Sequence, residues 1–148
     1  MRFTKTLFTT ALFGASVFSF QSTAWADTLE QQFQQGSEAT TRGDYQTVFK
    51  FLLPLAEQGN AEAQLLLGNM YASERGVKQD DVEAVKWYRK AAEQGYADAQ
   101  AMLGFSYLLG QSGVQVNKSL AKEWFGKACD NGDQNGCEYY GKLNRGEL

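Results

Sequence analysis

Cys129 and Cys137 are the two cysteines of this 148-residue chain, which contains no histidine. A redox pair would prefer two thiols close together at a helix start, as in C-x-x-C, where a thiolate is stabilised. Cys129 falls instead near a predicted helix end, where the dipole disfavours a thiolate. Without histidine, His-based triads, dinuclear His sites and most zinc sites are excluded, and two cysteines are too few for an ordinary structural zinc site. Ser119-Leu120-Ala121-Lys122 matches S-x-x-K literally, but S-D-N and K-T-G are absent and Ser119 falls in the first turn of a predicted helix. Asp80 with Asp81, and Asp44 in its own turn, read as helix caps rather than as an acid pair. Calcium would need a denser oxygen-rich loop. Gly110-Gln111-Ser112-Gly113 lacks the lysine and following hydroxyl of a phosphate loop. The residues therefore point to no catalytic group, no metal and no cofactor.

The first 26 residues read as a secretory leader. Arg2 and Lys5 precede an uncharged, mostly apolar run from Leu7 to Phe20, and Ala24-Trp25-Ala26 supplies small residues for cleavage before Asp27. The run is short for a membrane span. Loss of Arg2 and Lys5 with the leader takes the formal charge from −3 to −5. That balance disfavours a nucleic-acid backbone and an anionic membrane as partners. Both cysteines lie in the exported part, where an even number favours a bridge over free thiols.

The rest of the chain repeats itself. Residues 61–95 return almost intact at 97–132. Gly59, Gly95 and Gly132 are spaced by 36 and 37 residues, as are Gly68, Gly104 and Gly141, and Ala63, Ala99 and Gly136; Trp87 and Trp124 lie 37 apart. A period of that length marks one supersecondary unit stacked on its copies. Apolar residues at helical spacing predict helices over 27–43, 45–58, 61–72, 81–94, 97–109, 118–131 and 134–143. In the first, Leu29, Phe33 and Gly36 share a face that Ala39 and Thr40 continue. Pro54 predicts a kink or a 3₁₀ adjustment in the second. Asp44, Asp80 and Asn117 are placed to cap helices, and Gly95 to end one with positive φ. Trp87 and Trp124 are expected to wedge between hairpins in equivalent places. Tyr140 is expected to take the position of Leu67 and Leu103. The domain layout is a leader, 1–26, and an all-α repeat domain, 27–148. That domain divides into an atypical first unit, 27–60, full repeats at 61–96 and 97–133, and a half repeat, 134–148, with a polar outer face.

The two aligned copies resemble Sel1-like repeats, relatives of the tetratricopeptide repeat with a longer inter-helix loop. The residues that carry the resemblance are Ala63, Leu67, Gly68, Tyr71, Gly76, Val77, Asp80, Ala84, Trp87, Tyr88, Ala91, Ala92 and Gly95. In the second copy they are Ala99, Leu103, Gly104, Tyr107, Gly113, Val114, Ala121, Trp124, Phe125, Ala128 and Gly132, with Asn117 in place of the acid. The resemblance implies an α/α solenoid, a right-handed superhelix of antiparallel helix pairs, that binds proteins or peptides. The stretch KACDNGDQNGC is also similar to the repeats of the Helicobacter cysteine-rich proteins, which implies a disulfide from the end of one helix B to helix A of the next unit. Leu55 with Glu62, and Ala92 with Asp98, show no comparable pair.

The expected working surface is the concave face of the A helices, with Glu62, Leu66, Asn69, Ser73, Asp98, Met102, Phe105, Ser106 and Glu138 as its exposed positions. Apolar anchors inside a polar rim suit an interface. The expectation is a periplasmic or secreted module that binds a protein or peptide, without nucleic acid and without membrane insertion once the leader is cleaved. The alternatives are a β-lactam hydrolase, an envelope immunity protein that inhibits a lipase effector, and a structural envelope component.

Overall fold

The computed structural model describes residues 31, 35–36, 38–111 and 113–148. The predicted leader, with Leu29 and Phe33 of the first expected helix, lies outside these residues. The chain divides into two units, Met1–Gln35 and Gly36–Leu148. In the first, Gln31 and Gln35 are helical; in the second, residues 36 and 38–41 are helical and six further helices follow. These are α1 (Tyr45–Glu57), α2 (Ala61–Ala72), α3 (Asp81–Glu93), α4 (Ala97–Leu109), α5 (Lys118–Asp130) and α6 (Gln134–Asn144). There is no strand among the described residues.

Local chemistry sets the ends. Asp44, Asn60, Asp80, Asn117 and Asp133 each accept, through a side-chain oxygen, the backbone N–H three residues on, at 2.8–3.1 Å. Each supplies an acceptor to a donor that the helix itself leaves unpaired. Thr47, through its side chain first and its backbone amide second, holds the Asp44 carboxyl below its ordinary value. Gly95 and Gly132, just past α3 and α5, take φ of 86° and 97°, a conformation that a Cβ would strain.

Of the kink or 3₁₀ adjustment expected at Pro54, the 3₁₀ segment does not form, and α1 is α-helical through the proline. The proline is exposed, and the carbonyl that loses its partner belongs to exposed Lys50, where water can serve it.

Each helix packs on the next in an antiparallel right-handed solenoid, and α4 also touches α6. The hairpins close on glycine. A methyl added to Gly68 would run into the Tyr88 ring, and one added to Gly104 would meet Phe125 at 2.7 Å. Tyr88 and Phe125 hold the same register in α3 and α5, so one aromatic lies on one glycine in each hairpin. Leu67, Leu103 and Phe125 are fully buried around these contacts. The two tryptophans match as well. Trp87 joins the cluster of α1 and α2 and Trp124 that of α3 and α4, and Lys90 and Lys127 lie over their rings at 4.0 and 4.2 Å. Tyr140 departs from expectation. It holds the register of Leu67 and Leu103 but is 38% exposed where they are buried.

The units are tied end to end by a buried amide. Gln64 donates to the Ala56 carbonyl at 2.9 Å and accepts from the Gln94 side chain at 2.8 Å. Gln100 donates to the Ala92 carbonyl at 3.0 Å and accepts from Asn131 at 2.9 Å. Each glutamine thus joins the last turn of the preceding helix B to the C-cap of its own. Gln64 and Gln100 are 4% exposed, so these bonds satisfy polar groups that burial would otherwise penalise. In the third unit the same two registers are Cys129 and Cys137, and they form a disulfide. The comparable registers are thus Ala56 with Gln64 and Ala92 with Gln100, whereas the sequence reading compared Leu55 with Glu62 and Ala92 with Asp98.

Candidate functional site

α2 and α4 present the same stripe to solvent. On α2, Glu62, Leu66, Asn69 and Ser73 follow one another at helical spacing and all are exposed. On α4, Asp98 and Met102 repeat Glu62 and Leu66. The two large apolar side chains are substantially open, Leu66 at 40% and Met102 at 36%. The carboxylates of Glu62 and Asp98 both act on Tyr96, whose phenol is pushed above its ordinary value first by burial and then by these two charges. Glu62, Asp98 and Tyr96 therefore share one acidic end of the stripe, and Leu66 and Met102 lie one turn further along their helices.

Asn69 has a structural duty beside its exposure, since its side-chain Oδ1 accepts the Tyr88 hydroxyl at 2.9 Å. Burial pushes that phenol up to about 12. The Ser73 hydroxyl donates to the Asn69 backbone carbonyl at 2.6 Å. Phe105, in the register of Asn69, is half-buried in an aromatic trio. Its ring meets Phe125 at 4.9 Å and Tyr139 at 4.6 Å, both edge-on, and Phe125 and Tyr139 stack at 5.2 Å. Such pairs contribute about 0.5–1.5 kcal/mol each beyond their buried area.

Two expected positions leave the stripe. Ser106 is 5% exposed, and its hydroxyl donates to the Met102 carbonyl at 2.9 Å, which lets a serine sit on the buried side of the helix. Glu138 is exposed and ion-paired with Lys142 at 2.5 Å, but it stands in the register of buried Leu65 and Ala101, on a different side of its helix. Two positions were missed. Leu109, 57% exposed, repeats Ser73, and half-buried Tyr139 repeats Leu66 and Met102 on α6. The spacing of 36 and 37 residues was the signal for both.

Around the S-L-A-K match, Ser119 is exposed in the first turn of α5 and the Lys122 ammonium lies 5.7 Å from the centre of the Tyr140 ring. Among the described residues no group of three or more Cys, Asp or Glu is placed to hold a metal ion, and no helix is long and apolar enough to cross a membrane.

Known proteins share this architecture. The Sel1 repeat family model matches residues 61–96 and 97–133. The Sel1-repeat-containing protein YjcO of Escherichia coli K12 is 33% identical over 95 residues, covering 62% of this chain and 41% of that protein. The chain thus spans less than half the length of that relative. Among solved structures, a Sel1 repeat protein from Oxalobacter formigenes aligns with a TM-score of 0.70 at 34% identity, over 76% of this chain and 46% of the other. The protective antigen c5321 of uropathogenic Escherichia coli gives 0.74 at 31% identity, over 87% and 28%. Helicobacter pylori cysteine-rich protein B gives 0.62 at 25% identity, over 75% and 93%. Two matched repeats, a relative that carries them and three solenoids of the same build identify residues 61–133 of this chain as a pair of Sel1 repeats.

Proposed function

We propose that the chain is a periplasmic binding module whose A-helix stripe receives a protein or peptide partner. The Sel1-repeat fold is typical of protein–protein interaction modules. The observation that carries the reading is the pair Leu66 and Met102. Two large apolar side chains stand open in equivalent registers of adjacent repeats, with Glu62 and Asp98 beside them. An apolar centre with a charged rim is the composition an interface needs. The Cys129–Cys137 bridge suits a compartment where thiols stay oxidised.

The test places a photo-crosslinking residue at Asn69, one turn beyond Leu66 on α2, in the full chain expressed with its leader. One defined partner should be crosslinked in the periplasm. The variant carrying Leu66→Asp and Met102→Asp should lose that product while its thermal unfolding stays unchanged. An undiminished product in that folded variant, or processed protein confined to the cytoplasm, would overturn the reading.

A further inference from the structure

Beside the stripe, a cleft of about 510 Å³ is lined by Phe49 of α1, Tyr71 of α2 and the loop residues Val77, Lys78, Gln79 and Asp80. The second repeat shows what such a place holds. There the register of Tyr71 is Tyr107, and Arg89 of α3 donates from Nη2 to the Tyr107 hydroxyl at 2.7 Å, its guanidinium 6.0 Å from the ring centre. In the first repeat the register of Arg89 is Leu53, a half-buried member of the core, and the Tyr71 hydroxyl has no hydrogen-bond partner among the described residues.

The charges change in the opposite sense. Asp80 and Glu83 of the first repeat stand where the second has neutral Asn117 and Leu120. Both acids act on the Tyr71 phenol, adding to the upward push from burial. Glu83 is partly balanced by Lys86 at 2.8 Å, and Lys78 stands on the rim. So the second repeat sets its own guanidinium on its tyrosine, whereas the cations of the first are Lys86, paired with Glu83, and Lys78 on the rim, and neither bonds the Tyr71 hydroxyl. Phe49 replaces Val85 and sets a second ring edge-on to Tyr71 at 5.8 Å, which widens the aromatic wall. Aromatic faces and carboxylates together are a setting in which a flat, weakly hydrated guanidinium is favoured over an ammonium.

We propose that this cleft is a slot for an arginine side chain of the protein partner, with the guanidinium donating to the Tyr71 hydroxyl as Arg89 does to Tyr107. This deepens the binding reading above and rests on it only for the partner, because the slot and the stripe are separate surfaces.

The test uses the full-length chain and three short blocked peptides that differ at one residue, arginine, lysine or citrulline, followed by NMR of the ring resonances. The arginine peptide should shift Phe49 and Tyr71 saturably, and citrulline, which keeps the shape without the charge, should not. Tyr71→Phe should weaken the arginine peptide about fivefold, the loss of one hydrogen bond. Leu53→Arg, which fills the slot from within, should abolish it. Equal binding of citrulline, no effect of either variant, or shifts confined to Glu62 and Asp98 would overturn the slot. A protein that still loses its crosslinked partner through Leu66→Asp and Met102→Asp, but binds no arginine peptide here, rejects the slot and keeps the stripe.

Discussion

The junctions from α1 to α2 and from α3 to α4 are tied by a buried glutamine, and the junction from α5 to α6 by a disulfide, at the same two registers. A third register changes with them. Ala63 and Ala99 sit beside the glutamines, whereas Gly136 sits beside the disulfide. A methyl on Gly136 would meet the Ala128 Cβ at 2.7 Å and the Cys129 nitrogen at 2.9 Å. A glutamine reaches across a wider gap than two cysteines, whose Cα atoms stand 4.5 Å apart here. The missing methyl gives α6 that closer seat. Satisfaction of the amide explains the choice of tie. Gln64 and Gln100 each need a donor from their own helix B, supplied by Gln94 and Asn131. The disulfide at the third junction needs no such donor.

The largest effect is expected from the aromatic packing around Phe125, beside the disulfide-tied junction. Phe125 is fully buried between Gly104 and the rings of Phe105 and Tyr139. Phe125→Ala should cost about 3–5 kcal/mol, read from denaturant unfolding. If it cost no more than a surface substitution, the aromatic trio would not be what holds α6. Next comes the disulfide. Replacing Cys129 and Cys137 with serine should cost about 2–3 kcal/mol. The loss should appear first as faster amide exchange in α6, with α2 and α3 unchanged. Uniform destabilisation of all helices would mean that the third junction is no separate clamp. Gln100→Leu removes the amide tie, and the Ala92 carbonyl keeps its bond from the Gly95 N–H at 3.0 Å. The cost should therefore be smaller, about 1–2 kcal/mol, and it should fall between the two repeats rather than at the end.

Much of this was legible in the chain, because the signals are local or periodic. The glycines facing Tyr88 and Phe125, the capping residues Asp44, Asp80 and Asn117, and the paired tryptophans all follow from spacing and residue type. Gln64 and Gln100 were passed over because a glutamine on a helix reads as solvent-facing by default. What marks them is a separation of eight from Ala56 and Ala92, the separation of the two cysteines, and that becomes visible only when the third unit is aligned in the same register. Ser106 misled for the opposite reason. A serine that bonds its own helix carbonyl carries no outward sign of burial. Glu138 was misplaced by its charge, which says nothing about the side of the helix it occupies.

Tyr88 sharpens the contrast between the two hairpins, since Phe125 holds its register without a hydroxyl. Its pKa of about 12 in the fold lies above the ordinary 10.0, so the folded state keeps a proton that the unfolded state releases. The associated stability is complete below pH 10 and falls as the pH rises towards about 12. Tyr88→Phe should remove that alkaline loss and forfeit the bond to Asn69, a cost of about 1 kcal/mol at neutral pH. An unchanged alkaline unfolding profile in the variant would show that other groups control that limb.

The smallest change in stability should come from the substitution that tests the comparison most directly, the conversion of one kind of junction into the other. Ala92→Cys with Gln100→Cys places two thiols at the registers of Cys129 and Cys137. With Ala99 retained, its methyl keeps α4 at the distance that suits glutamine, and the bridge should form slowly and incompletely under mild oxidation. Adding Ala99→Gly reproduces the seat that Gly136 gives α6, and the bridge should then close. The lost amide tie and the glycine penalty oppose the new link, so stability should end within about 1 kcal/mol of the parent. Mass spectrometry of the unreduced protein reads the linkage, and denaturant unfolding reads the balance. If the pair closed equally well with Ala99 in place, the glycine would have no part in choosing the tie, and satisfaction of the buried amide alone would separate the last junction from the other two.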